Sequence, residues 1–77
     1  KSFSISPTPS SFRLNIELPN TISNAKVEVF NVLGQQVYNI AVSKLNVSID
    51  VSNWNSGVYL VNVSSGDFHQ TKRFIKQ

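Results

Sequence analysis

The 77-residue chain carries a formal net charge of +3, lacks cysteine and is 40% hydrophobic. Its length allows one small domain, residues 1–77, because minimal domains need roughly 50 residues around a core of their own. A chain this short buries only about 60% of the surface its unfolded form exposes, which leaves no room for a large active-site cavity. Without thiols there is no disulfide framework, cysteine nucleophile or thiolate metal centre. No apolar run approaches the roughly 20 residues of a membrane-spanning helix. The opening Lys1-Ser2-Phe3-Ser4 lacks the apolar core of a signal peptide and does not begin with methionine, so the chain reads as a piece of a longer protein whose export signal lies upstream.

Apolar residues recur at every second position, the spacing that places them on one face of a strand. Phe3 to Ser6 forms a first short strand, followed by Pro7-Thr8-Pro9. Two prolines that cannot donate to a ladder make this an extended break. Phe12, Leu14, Ile16 and Leu18 alternate with Arg13, Asn15 and Glu17 and stop at Pro19-Asn20. Ala25, Val27 and Val29 alternate with Lys26 and Glu28, and Asn31-Val32-Leu33-Gly34 supplies a hairpin loop with Gly34 at its positive-φ position. The return strand, Val37 to Val42, has apolar residues on both parities and leaves its inward face undecided. Asn46 to Val51 carries Val47, Ile49 and Val51 on one face, and Asn53-Trp54-Asn55-Ser56-Gly57 is turn chemistry. Val58 to Ser64 is the most β-prone stretch, Ser65-Gly66 a tight turn, and Phe68 to Ile75 the final strand.

Seven strands with turn residues at each break predict an all-β, immunoglobulin-like sandwich of antiparallel strands. Trp54, Gly57 and Tyr59 have the pattern of a tyrosine corner. The Tyr59 hydroxyl would bond upstream backbone and pin the crossover between sheets, and Trp54 would plug one end of the core; the same two residues would also serve as ordinary core.

Chemistry is sparse. A hydrolytic triad needs a base, and the lone His69 has no serine in a G-x-S-x-G setting to serve. Nor does it have a second histidine to complete a metal site. Glu17, Glu28, Asp50 and Asp67 are scattered, unlike the closely spaced ligands of a calcium loop. Gly34, Gly57 and Gly66 are isolated, so no glycine-rich loop cradles a phosphate. Basic and aromatic residues interleave only in the last strand, which argues against nucleic acid. The expectation is a non-enzymatic recognition module with no cofactor, metal or small-molecule substrate.

Taken in order, several segments resemble the C-terminal sorting domains of type IX secretion cargo. Ser6-Pro7-Thr8-Pro9 is similar to that family's proline-bracketed opening, with Thr8 in place of the usual Asn. Ala25 to Val37, containing Leu33-Gly34-Gln35, follows, then Ile49-Asp50-Val51-Ser52 and Ser56-Gly57-Val58-Tyr59-Leu60-Val61, with Trp54 where Leu is common. Ser65-Gly66 and Thr71-Lys72-Arg73-Phe74-Ile75-Lys76-Gln77 complete the series. Each segment is common in β-proteins; their order and spacing make the set specific.

The resemblance implies a single domain that ends a longer cargo protein and is read as an address for export through the periplasm and outer membrane to the cell surface or medium. Its partners would be the translocon and shuttle proteins of the type IX system and a sortase-like surface peptidase. That peptidase cuts at or upstream of Lys1 and often anchors the cargo. Lys72, Arg73, Phe74, Ile75, Lys76 and Gln77 are the expected recognition residues, offered on a strand edge. Pro7, Pro9, Gly34, Gln35, Gly57, Tyr59 and Gly66 are expected to shape the turns. A weak edge-strand dimer is compatible with this. The alternative is an accessory binding module for carbohydrate or protein, which would call for a row of exposed aromatics or clustered polar loops.

Overall fold

A computed structural model describes residues 3–6, 11–20, 24–44 and 46–77. Seven strands follow in order: β1 (Ser4–Ser6), β2 (Arg13–Glu17), β3 (Ala25–Asn31), β4 (Gln36–Val42), β5 (Asn46–Asp50), β6 (Gly57–Ser65) and β7 (Phe68–Lys76). They form a three-stranded sheet, β1-β2-β5, and a four-stranded sheet, β4-β3-β6-β7. Every pairing is antiparallel. The expected seven strands are all present, each within two residues of the sequence reading at either end.

The alternation of the sequence becomes the two sides of each sheet. Leu14 and Ile16 of β2 and Ile49 of β5 point inward to meet Val27 and Val29 of β3, Val61 and Val63 of β6 and Phe74 of β7. Phe3, Leu18, Ala25, Val42, Val51 and Tyr59 complete the core. Arg13, Asn15 and Glu17 are exposed between the buried residues of β2. Small β-branched side chains dominate because the two inner faces must interdigitate across a layer only about 10 Å thick.

The face of β4 is decided by a β-bulge. Val29 pairs with Tyr38 but Phe30 pairs with Gln36, so Val37 is the extra residue and stays exposed. Tyr38, Ile40 and Val42 then face inward. The two-residue turn after β6 has Gly66 at its first central position with φ +59°, while Asp67 has no positive φ. That is the pattern of a type II′ turn, whose twist matches the flanking strands.

The β3–β4 loop is organised by one side chain. Asn31 Oδ1 accepts the backbone N–H groups of Leu33 and Gln35 at 2.9 and 3.0 Å. The Asn31 N–H donates to the Gln35 carbonyl at 2.9 Å, and the Gly34 N–H donates to the Asn31 carbonyl at 3.0 Å. Asn31 Nδ2 also donates to Gln35 Oε1 at 2.9 Å, which gives Gln35 a structural part in the loop. Gly34 turns the chain with φ +84°.

Between the sheets, the chain crosses from β5 to β6 through residues 51–56. The Tyr59 hydroxyl donates to the Asn55 carbonyl at 2.7 Å, the bond expected of a tyrosine corner. Trp54 lies beside it, its ring centroid 4.9 Å from Tyr59 and 6.1 Å from Tyr38. Before the corner, Asp50 Oδ1 accepts from the backbone and hydroxyl of Ser52 at 3.0 and 2.7 Å. These bonds favour the carboxylate and hold the Asp50 carboxyl below its ordinary range.

Two substitutions test these local devices by denaturant unfolding. Tyr59→Phe removes one hydrogen bond and keeps the ring, so the domain should lose about 1 kcal/mol. Gly34→Val meets no neighbour within 4 Å, so its expected loss of roughly 1–2 kcal/mol comes from the backbone alone. An unchanged stability in either variant contradicts the role given to that residue.

Candidate functional site

Among the described residues, β7 pairs with β6 and with no other strand, so it stands at the edge of the four-stranded sheet. Its pairing runs from Ser65↔Phe68 to Gly57↔Lys76. Among the described residues no further strand lies along the opposite side of β7, the position that strand-addition recognition uses.

Strand period divides the expected recognition residues between two sides. Lys72, Phe74 and Lys76 point toward the other sheet, whereas Arg73 and Ile75 point outward. Phe74 is 0% exposed and belongs to the core. Lys72 is half-buried with its ammonium 5.7 Å from the centre of the Phe3 ring, a cation–π placement. Lys76 is buried except for 7% of its surface and donates from Nζ to the Gln77 carbonyl at 3.0 Å. Gln77 is exposed. The three basic residues therefore do not make one patch, and among them Arg73 alone presents an exposed side chain on the outer face.

β1 is tied to the same strand. The Phe3 N–H donates to Gln70 Oε1 at 3.1 Å, and the Phe3 ring is buried beneath Lys72. The point where the chain enters the sandwich is thus held by side chains of β7.

Other expected residues gather at one pole of the molecule. The register Gly57↔Lys76 and Asn31↔Tyr59 puts the end of β7, the start of β6 and the β3–β4 loop side by side. The Val51 N–H donates to the Phe12 carbonyl at 3.0 Å, which brings the start of β2 to that end. Gly34, Gln35, Gly57 and Tyr59 all lie there; Gly66 sits in the β6–β7 turn at the opposite pole. Pro7 and Pro9 fall outside the described residues. Among the described residues, no group of three or more His, Cys, Asp or Glu side chains is placed to hold a metal ion.

Sequence reasoning missed one feature of this pole. Val32, Leu33 and Phe12 are 72%, 79% and 74% exposed, the largest values among the exposed large apolar side chains. The signal was present in the sequence, since an apolar pair occupies a loop position where polar residues are the rule.

Comparison with known proteins bears on both fold and role. The fold resembles that of a DUF3244 family protein from Bacteroides vulgatus ATCC 8482, described as an immunoglobulin-like β-sandwich, with a TM-score of 0.78 over 99% of this chain and 95% of that one. At 14% identity the likeness is one of fold, and it agrees with the sandwich expected from the sequence. In sequence, the chain is 35% identical over 77 residues to the ulvan lyase NLR42 of Nonlabens ulvanivorans; the match covers 96% of this chain but only 14% of the lyase. Residues 4–77 match the family described as the secretion system C-terminal sorting domain, and the chain belongs to that family.

Proposed function

We propose that this domain is the address by which an attached cargo protein is exported through the type IX system, acting as a substrate of that machinery and not as a catalyst. The observation that carries the reading is the family match across residues 4–77. The position of β7 at the edge of the four-stranded sheet among the described residues supports a recognition role, because an edge strand can accept a partner strand without any pocket. The cargo is upstream: residues 1–77 form the C-terminal domain of a longer protein, and the sortase-like peptidase cuts at or upstream of Lys1.

Physical reasons favour a cut at that place. Phe3 is buried and its N–H is bonded to Gln70, and a peptidase needs several residues in extended form that the fold does not hold. Cleavage upstream of Phe3 releases the sandwich intact, and the exposed cargo terminus becomes available for anchoring at the cell surface. The shuttle and translocon of the outer membrane read the domain before that cut.

The end of β7 is the part of the signal most separable from folding. Removing Thr71–Gln77 would also remove Phe74, and deletion of a buried phenylalanine side chain alone costs about 3–5 kcal/mol. Removing only Lys76 and Gln77 leaves Phe74 in place. Behind a signal peptide and a fluorescent protein in a type IX-competent host, the complete domain should carry fluorescence to the cell surface or medium. The form lacking Lys76 and Gln77 should fold yet leave its cargo in the periplasm. Undiminished export of the shortened form would sink the role given to the end of β7, and failure of the complete domain would sink the sorting function itself.

In the same host, mass spectrometry of the released domain should find its first residue at or before Phe3. A first residue within β2 or beyond would contradict cleavage outside the folded sandwich.

A further inference from the structure

Among the described residues the exposed apolar surface is polarised. Besides Phe12, Val32 and Leu33 at the pole, the remaining exposed large apolar side chains among those residues are Val37, Leu60 and Ile75. All three lie on the outer face of the four-stranded sheet toward the same pole. Phe30 pairs with Gln36, beside the bulged Val37, on one side and with Leu60 on the other. Leu60 pairs in turn with Arg73, and Val58 with Ile75. The outer face therefore continues from the β3–β4 loop across Phe30, Leu60 and Ile75 to β7.

Folding does not account for this surface. Asn31 and Gly34 build the loop through backbone and amide hydrogen bonds, which any exposed side chain at positions 32 and 33 would permit. Two of the most hydrophobic residues stand there instead. A shallow groove of about 170 Å³ runs between this loop and the 55–58 turn. That is well under the roughly 300 Å³ of a small-molecule site, and it suits one or two side chains of a protein partner.

The occupant is constrained by three observations. The chain enters the sandwich at Phe3 and Ser4, and Ser4 pairs with Glu17 at the far end of β2, along a body whose long axis is 32 Å. The first described residues therefore stand at the pole away from this surface. The groove is lined by no ionisable side chain other than the phenol of Tyr59, and Arg73 is the cation set among the outer-face apolar residues. Glu28 on the same face is already paired with Lys26 at 3.5 Å. Finally, the groove of about 170 Å³ takes one or two side chains, whereas a stable dimer buries roughly 800 Å² of each partner. The surface fits a transient contact with a small apolar segment.

We infer that the β3–β4 loop and the adjoining outer face, centred on Val32, Leu33, Leu60 and Arg73, form the docking surface for a component of the secretion apparatus that presents an apolar segment with a carboxylate opposite Arg73. The inference rests on the sorting function proposed above and places its recognition on the folded pole as well as on the β7 edge. Membership of a secretion sorting family supplies the class of partner; the side chains supply its chemistry. Burial of Val32 and Leu33 against that segment provides the attraction, and Arg73 sets orientation.

The test compares export of three fluorescent fusions behind a signal peptide in a type IX-competent host: the unaltered domain, Val32→Ser with Leu33→Ser, and Arg73→Glu. Melting curves of the purified fusions establish that each domain is folded. With folding intact, the double variant should be exported about tenfold less, the change produced by losing one well-buried apolar contact, and Arg73→Glu should fall in the same direction. Export of both folded variants at the unaltered level overturns the docking surface while leaving the sorting function standing. Failure of the unaltered domain to be exported overturns the sorting function, and the docking surface with it. Sedimentation of the purified domain over a range of concentrations addresses a second copy as occupant: a dimer abolished by Val32→Ser with Leu33→Ser would also overturn the assignment.

Discussion

The structure depends on burying the inner faces of two small sheets against each other with few residues to spare. Its core consists of one to three side chains from each strand or its flank, from Phe3 beside β1 to Phe74 in β7. In a domain whose total stability is on the order of 5–15 kcal/mol, one buried aromatic ring is a large share. β7 therefore cannot be a loose tail appended to a finished fold. It is the outer strand of the larger sheet, and its inward side chains close the sandwich over Phe3.

That constraint shapes what a reader of the domain encounters. Side chains at 72, 74 and 76 are committed to the interior or its rim, which leaves the backbone edge, Arg73 and Ile75 on the outer side. The tyrosine corner fixes the start of β6, and β6 in turn sets the register of β7 through nine paired positions. Local backbone bonds in the β3–β4 loop put Val32 and Leu33 beside that register. Residues far apart in sequence thus meet at one pole because the same few hydrogen bonds hold β3, β6 and β7 together. Recognition at this pole would depend on the fold as a whole, and a destabilised domain would lose its address along with its core.

Much of this was legible in the sequence because the period of two is a direct consequence of strand geometry. Leu14 and Ile16, Val27 and Val29, and Val61 and Val63 fall inward as their spacing requires, and Trp54 with Tyr59 marked the crossover. The face of β4 was not legible, since apolar residues occur on both its parities and a bulge at Val37 shifts the register. The basic residues of β7 look like a cluster only along the chain; the same period of two sends Lys72 and Lys76 to one side and Arg73 to the other. The exposure of Val32 and Leu33 was hidden for a different reason. Their place in the hairpin loop was legible, but an apolar loop side chain can fold back onto the core or face solvent, and only the exposure of 72% and 79% decides between the two.

The central claim is that the address is read from a folded surface and not from a linear tail. Attaching Phe68–Gln77 alone to a signal peptide and fluorescent protein, in place of the whole domain, tests it most directly. The account predicts that this segment, without β3 and β6 to present it, leaves the fluorescence in the periplasm. Export of the isolated segment as efficiently as the complete domain would contradict it.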